Sequence, residues 1–290
     1  MNLTPPSRRT PTLTTSVAAA LAVSSTMLAS CSLGSLNFKK EAAATLTTPA
    51  LAELHVSNQV GTVELKADSS ATSITATATR IGKGVTQADA DAALAETSAT
   101  LAPDPGGKFV LALGKQPSSS GMSKGYEIKW SIVAPPTTMI VVKTNVGEVE
   151  LTGFTQGADV KVDVGKIMGT ALAGGGSFTS NVGKVSVSTQ APVTAHSDTG
   201  SVSLTLTPGG NGNVKAWSNV GSVSLVLAPD WAGSVTADSI VGSVNSSIPG
   251  AAIKSSTTGK SMTATIGAGT AKAEASSNVG SVTVGVAGTH

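Results

Sequence analysis

The sequence predicts an all-β fold in which short strands stack as the coils of a parallel β-helix, or β-solenoid. One phrase recurs as SNVGKVSV, SNVGSVSL and SNVGSVTV, around Gly183, Gly221 and Gly280. Each copy pairs a turn signal with an alternating strand pattern, and the glycines of all copies lie 17 to 21 residues apart. A period near twenty residues made only of turns and strands is typical of stacked repeats. Looser copies centre on Gly147, Gly165, Gly200, Gly242 and Gly259.

Each repeat begins with a predicted bend. Six copies carry Asn or Asp two residues before the glycine, whereas Ile240 and Thr257 take that place in the other two. Asn and Asp side chains hydrogen-bond to their own backbone, and glycine adopts positive φ without steric cost. The predicted structural turn residues are Asn145, Gly147, Asp163, Gly165, Asn181, Gly183, Asp198, Gly200, Asn219, Gly221, Asn278 and Gly280.

Two short strands follow from the rest of the repeat. Val or Ile stands two residues after most glycines, and Val or Leu two residues later, which predicts a half-buried strand whose serines face outward. A proline seven to nine residues after the glycine ends that strand in four copies, because proline has no N–H to donate. A second alternating segment precedes the next bend. We therefore expect about eight short coils over residues 135–290.

The composition of the chain limits the kinds of partner that it could bind. Charged residues make up 12% of the chain, against about 25% in an average soluble domain. The net charge of +2 comes from Arg8 and Arg9, because the remaining 17 basic residues balance 17 acidic ones. A neutral body without a basic stripe argues against nucleic acid as a partner.

The N-terminus predicts export and lipidation. Residues 1–30 carry two arginines, an apolar stretch and then small residues, the layout of a secretory signal peptide. The boundary Leu28-Ala29-Ser30-Cys31 resembles the lipobox of bacterial lipoproteins, in which the cysteine is diacylated and becomes the mature N-terminus. Cys31 is also the only cysteine of the chain. We expect the protein to be bound to a membrane through this lipid.

Three parts follow the signal peptide. Residues 31–49 are predicted to be the lipidated cysteine and a flexible tether. Residues 50–290 are predicted to be one domain, with a strand-rich cap over 50–134 and regular repeats over 135–290. Within the cap, residues 87–99 are alanine-rich and fit a short helix or a strand.

Few residues of the chain are candidates for catalysis or for metal binding. His55, His196 and His290 stand apart and the one cysteine is assigned to lipid, so we expect no metal site and no cofactor. Asp163, Asp198 and Asp238 recur near bends, where stacked coils would align them either as a turn ladder or as carboxylates for carbohydrate chemistry. We predict the turn ladder, and no catalytic residues.

Aromatic residues offer a different kind of site. Trp217 and Trp231 fall in adjacent predicted coils, fourteen residues apart. They are candidate ligand contacts, because two aromatic rings close together would form a stacking platform for a sugar ring or an adhesive partner. The alternative is that they cover the edges of the coils.

The repeat grammar resembles a known family. An opening strand with a Gly-x-Val-x-Leu turn near Asn58 and Gly61 is followed by Ile132-Val133-Ala134-Pro135-Pro136, then by MIVVKTNVGEVELTG and its repeats. This order resembles the bacterial domain family of unknown function named putative adhesins, over about residues 50–290. The resemblance implies a β-helical fold and carries no catalytic motif to transfer.

These expectations combine into one functional prediction. The chain is predicted to be a lipid-anchored lipoprotein of the bacterial cell envelope, at the outer membrane or cell surface rather than the inner membrane. Its solenoid is expected to act without catalysis in adhesion, envelope organisation or binding of an envelope protein or glycan. The alternative is a carbohydrate-binding or carbohydrate-active β-helix domain.

Overall fold

The computed structural model describes residues 38–103, 109–115, 124–257 and 259–288. Strands account for 69% of the described residues, among which there is one helix, and this confirms the all-β prediction. The signal peptide, Cys31 and His290 lie outside the described residues. The strands are β1 (Phe38–Pro49), β2 (Glu53–Val60), β3 (Val63–Ala67), β4 (Ser73–Gly84), β5 (Ser98–Pro103), β6 (Phe109–Lys115), β7 (Lys124–Ala134), β8 (Met139–Thr152), β9 (Ala158–Leu172), β10 (Gly176–Val182), β11 (Val185–Thr189), β12 (Val193–Thr199), β13 (Val202–Leu206), β14 (Val214–Val220), β15 (Val223–Leu227), β16 (Gly233–Val241), β17 (Val244–Ser246), β18 (Ala252–Ser256), β19 (Gly259–Ile266), β20 (Ala271–Val279) and β21 (Val282–Val286).

The strands pair in two hydrogen-bonded ladders. The first ladder runs β5, β6, β2, β8, β9, β10, β12, β14, β20, β16, β19, β18. The second runs β1, β4, β7, β3, β8, β9, β11, β13, β15, β21, β17. Strands β8 and β9 are long enough to belong to both ladders.

Successive repeats pair in parallel and in register. Ile140 pairs with Ala158 and Thr152 with Thr170, so β8 and β9 are offset by one repeat along their whole shared length. The same offset continues through β10 to β15, where like positions of neighbouring repeats face each other. We use the term rung for one strand of the first ladder together with the strand of the second ladder that follows it in the chain.

Chain order and spatial order differ at the C-terminal end. The rung β20–β21, last in sequence, pairs with β14–β15 on one side and with β16–β17 on the other. The column of like residues therefore reads Val220, Val279, Val241. The copy centred on Gly259 does not form a parallel coil as predicted, because β19 pairs antiparallel with both β16 and β18 and covers the edge of β16.

The predicted tether is too long. Residues 38–49 form β1, which pairs antiparallel with β4 from Phe38 opposite Gly84 to Pro49 opposite Ser73. Lys40 at its start lies 2.8 Å from Asp91, and this ammonium holds the pKa of the Asp91 carboxyl below its ordinary value. Residues 31–37 of the predicted tether lie outside the described residues.

The alanine-rich segment forms the helix α1 (Gln87–Glu96). Thr86 caps it: the Thr86 hydroxyl accepts from the backbone N–H of Asp89, whose carboxylate accepts from the N–H of Thr86. This capping box satisfies two donors at the helix start. The helix packs on β4 so closely that a Cβ on Gly82 would lie 2.2 Å from the carbonyl oxygen of Ala90.

The core lies between the ladders, because buried residues of both form one cluster. Ala195 in β12 and Leu204 in β13 are fully buried members. The prediction that the repeat serines face outward is wrong for the serine three residues before the glycine. These serines are at most 2% exposed and donate to the carbonyl of a glycine in a neighbouring rung, as Ser180, Ser197, Ser218, Ser239 and Ser277 do.

Removing one of these buried hydroxyls should destabilise the fold. Ser218→Ala leaves the carbonyl of Gly200, 2.8 Å away, without its side-chain donor, so we expect the free energy of unfolding to fall by roughly 1–2 kcal/mol. The matched control is Ser203→Ala in β13, where the serine faces outward and the loss should stay below about 0.5 kcal/mol. Urea denaturation followed by circular dichroism measures both, and equal losses would contradict the inward assignment.

Among the residues described, no helix has the length and apolar character needed to cross a membrane.

Candidate functional site

The repeat glycines stack in a column along the bend that joins the two ladders. Gly165, Gly183 and Gly221 have φ between +145° and +147°, a region that side chains other than glycine rarely adopt. A Cβ on Gly165 would lie 1.6 Å from the carbonyl oxygen of Gly147, its counterpart one rung away. Glycine is therefore required here by close approach between rungs as well as by conformation. The column contains Gly61, Gly147, Gly165, Gly183, Gly200, Gly221, Gly280 and Gly242.

The Asn and Asp residues of the predicted turns form a second column beside the glycines. Their side chains bond to one another between rungs: Asn181 donates to Asp163 at 3.1 Å, and Asn219 to Asp198 at 2.8 Å. Asn278 continues the series by donating to the side-chain oxygen of Asn219 at 3.3 Å. These side chains tie neighbouring rungs together.

Trp217 lies on the outer surface of the first ladder. It alternates along β14 with the buried Ala216 and Ser218, so its ring points outward and is partly exposed. The ring stacks on His196 of the adjacent strand β12, with centroids 4.4 Å apart and planes 20° apart. Such stacking fixes the orientation of the indole on the surface.

Two pairs of ionisable side chains lie beside this ring. The Nε2 atom of His196 lies 2.9 Å from the Asp198 carboxylate, and its Nδ1 atom lies 3.3 Å from the backbone oxygen of Trp217. Lys215 places its ammonium 5.5 Å from the Trp217 ring centroid and 3.2 Å from Glu274 on β20. We call the outward residues His196, Lys215, Trp217, Glu274, Ser276 and Asp238 the Trp217 face.

Trp231 is not part of this face. It is 1% exposed, packs in the core cluster, and donates its indole N–H to the carbonyl of Gly212 at 3.1 Å. The predicted pairing of two surface tryptophans is corrected accordingly: Trp231 lacks an accessible ring face because the turn after β15 folds it inward. Trp130 is also 1% exposed.

The three candidate carboxylates do not converge. Asp163 and Asp198 occupy one column but are separated by the rung that carries Asn181. Asp238 lies elsewhere on the first ladder, opposite Ser276. Of the three, Asp198 alone contacts His196. In the described part of the chain, no group of three or more His, Cys, Asp or Glu side chains is placed to hold a metal ion.

Sequence reasoning missed a column of exposed valines beside the glycines. The residue directly before each glycine points out at the bend, and the valines there are about half exposed, from 46% to 60%. Strand register makes them neighbours over about 29 Å, at one strand spacing between successive positions. The signal was present as the recurring V of SNVG. The column comprises Val146, Val164, Val182, Val220, Val279 and Val241, with Thr199 between Val182 and Val220.

Comparison with known proteins gives few matches. No protein-family profile matches the chain, and no curated protein matches it. The fold is similar to that of a putative cell adhesion protein from Clostridium sporogenes, with 11% identity and a TM-score of 0.37, over 83% of this chain and 98% of that one. It is also similar to a putative adhesin from Bacteroides fragilis, with 17% identity and a TM-score of 0.41, over 83% of this chain and 96% of that one.

Proposed function

We propose that this chain is an exported lipoprotein of the bacterial cell envelope whose repeats form a β-solenoid that binds a partner without catalysis. The expected roles are adhesion, envelope organisation or capture of an envelope protein or glycan, at the outer membrane or cell surface. The observation that carries the proposal is the Trp217 face, an oriented and accessible aromatic ring on a rigid, hydrogen-bonded ladder.

The strand registers support the solenoid. Each rung from β8 to β15 adds one strand to each ladder in parallel, displaced by one repeat from the last. The glycine, serine and Asn/Asp columns repeat at the same spacing. A stack of equivalent rungs around one core is the architecture that a period of about twenty residues favours.

Anchoring rests on the sequence of the first 31 residues and on the position of β1. Six residues separate Cys31 from Phe38, the first residue of β1. A chain of that length spans at most about 25 Å. The proposed lipid would therefore hold the β1 end of the fold close to the membrane surface.

The surface chemistry supports binding rather than turnover. On the Trp217 face, Lys215 is paired with Glu274, and the exposed valine column lies on the same side of the bend. Contiguous apolar surface of this kind is typical of contacts between macromolecules. Aromatic residues dominate the energetics of such contacts.

Truncating the central ring tests the proposal. In the unlipidated Cys31→Ala background, Trp217→Ala is expected to weaken retention of the protein on bacterial envelope fractions at least about tenfold, since exposed tryptophans are common binding hot spots. The control is Thr205→Ala, an outward residue of β13 on the other ladder, which should bind as the unaltered chain does. Quantitative co-sedimentation measures both, and undiminished retention of Trp217→Ala argues against this site.

The anchor is tested separately. Cys31→Ala is expected to move the exported protein from the membrane fraction to the soluble fraction, because the several acyl chains that give stable anchoring are lost. Ser32→Ala is the control and should stay with the membrane. Fractionation and immunoblotting in the Trp217→Ala background, where binding through the Trp217 face is lost, give the result, and a Cys31→Ala protein that still pellets with membranes there contradicts the lipoprotein assignment.

A second candidate function is a carbohydrate-binding domain. It is favoured by the hydrogen-bonding groups beside the Trp217 ring, Ser276 and Asp238, which an apolar protein contact would leave unused.

A further inference from the structure

We infer that the Trp217 face contains a slot for one neutral pyranose ring, bounded by Trp217 on one side and Asp238 on the other, with Ser276 as its floor. The inference deepens the proposed function, on which it rests, by naming the chemical class of the ligand.

The slot follows from strand order. In the first ladder β14 lies between β12 and β20, and β16 lies beyond β20. Trp217 thus has His196 against one ring face, while its other face looks over Ser276 toward Asp238. Two strand spacings, about 9.6 Å, separate the Trp217 and Asp238 positions. Because the Ser276 side chain is smaller than those of Trp217 and Asp238 on either side of it, an open space one residue wide lies above Ser276.

This space has the thickness of one ring. The His196 and Trp217 centroids are 4.4 Å apart, close to one strand spacing. A ring stacked on the opposite face of Trp217 would therefore lie directly above Ser276. The Asp238 carboxylate, which is exposed, lies one strand further on, within reach of hydroxyl groups at the ring edge.

The chemistry of the walls favours a sugar. The indole face is electron-rich and attracts the weakly positive C–H groups that a pyranose presents on its faces. Ser276, Asp238 and the neighbouring Asn278 offer acceptors and donors for hydroxyl groups. An aromatic peptide side chain would fill the same space but leave these polar groups unmatched.

Charge balance favours a neutral ring. Lys215 and Glu274 form an ion pair at one end of the slot, 3.2 Å apart. The Lys215 ammonium also lies 5.5 Å from the Trp217 centroid, and because the side chain is 52% exposed, an entering ring can displace it toward Glu274. Asp238 would repel an acidic sugar, so neither a phosphate nor a uronic acid is the expected ligand.

A panel of methyl pyranosides tests the slot in the full chain. Trp130 and Trp231 are buried, so a saturable change in tryptophan fluorescence reports on Trp217. We expect a dissociation constant on the order of millimolar for a single ring. Saturation-transfer NMR should show binding at least about tenfold weaker for Trp217→Ala and for Ser276→Phe, which fills the slot without removing Trp217.

The matched control is Thr179→Ala, which pairs with His196 on the closed side of the stack and should bind within about twofold of the unaltered chain. Melting curves verify that the variants fold. Because Ser276 and Thr179 both face outward, their variants should fold and can decide the test even if Trp217→Ala does not fold. Absence of saturable binding of every pyranoside, or unchanged binding by Ser276→Phe, overturns the inference.

Its failure is distinct from failure of the proposed function. If envelope retention depends on Trp217 while pyranosides neither bind nor compete, the sugar slot is wrong and partner binding stands. If pyranosides bind in the slot while Trp217→Ala leaves retention of the protein on envelope fractions unchanged, the sugar slot is confirmed. The envelope-binding role assigned to the Trp217 face is then wrong.

Discussion

Gly221→Val is expected to lower the free energy of unfolding by about 4 kcal/mol, from strain at positive φ together with steric overlap. Gly221 has φ +147°, and a Cβ there would lie 1.9 Å from the carbonyl oxygen of Gly200 and 2.5 Å from its carbonyl carbon. Both atoms are backbone within a hydrogen-bonded ladder, so neither can move without disturbing a neighbouring rung. Urea denaturation of the full chain measures the loss.

A second glycine separates the two causes. Gly209 has φ +82°, but a Cβ added there would meet no atom within 4 Å. Gly209→Val should therefore lose only about 1–2 kcal/mol, the cost of the left-handed conformation alone. Equal losses at both positions would mean that the close approach between rungs adds nothing, and an unchanged Gly221→Val would contradict the glycine column itself.

Removing residues 268–290 is expected to uncouple β16 to β19 from the rest of the fold. The deleted rung lies between β14–β15 and β16–β17 and buries Ala273, Ala275, Val282 and Val284 to 2% exposure or less. Without it, β14 and β16 lose a partner in the first ladder, and β15 and β17 lose one in the second. Hydrogen-exchange protection of the β16 amides should fall at least about hundredfold, toward the values of locally unfolded segments.

The control for this deletion removes only residues 288–290. A Cβ on Gly288 would meet no atom within 4 Å, and β21 ends at Val286, so protection should be unchanged. If deletion of 268–290 leaves β16 as protected as before, the rung is peripheral and its interior placement is wrong.

The sequence was most informative about the repeat itself. The Asn/Asp-x-Gly signal located the bends, and Pro192, Pro208 and Pro229 lie after the strands that they were predicted to end. The alternation of Val and Leu with polar residues identified the inward side chains, such as Leu204. These features are local, because turn conformation and side-chain direction depend on a few consecutive residues.

What the sequence could not provide was the partner of each strand. Ser218 and Ser203 are the same residue type, yet one is buried against a glycine carbonyl of another rung and the other faces outward. The Gly259 copy has the period of its neighbours but pairs antiparallel. Pairing depends on contacts between distant segments, which a repeat period does not specify.

For the same reason, the sequence predicted only part of the candidate site. Trp217 was identified, but its stacking on His196 needs the register of β12 with β14. Trp231 was a candidate contact because it lies fourteen residues from Trp217 in the next predicted coil, whereas the fold places it in the core. The start of the fold was also misplaced, because the run Lys39-Lys40-Glu41 and the alanines and threonines after it resemble a linker, whereas residues 38–49 form a strand through pairing with β4.

The interior position of the rung β20–β21 bears on how the chain reaches this fold. A growing polypeptide emerges from the ribosome N-terminus first, so β16 and β17 appear before the strands that must lie between them and β14–β15. The pairing of β14 with β20 spans 59 residues, for example from Val214 to Ala273. Non-local pairing of this kind slows folding. Rungs can therefore be added in chain order only as far as β15. The gap between β14–β15 and β16–β17 is filled only after residues 271–286 have been synthesised.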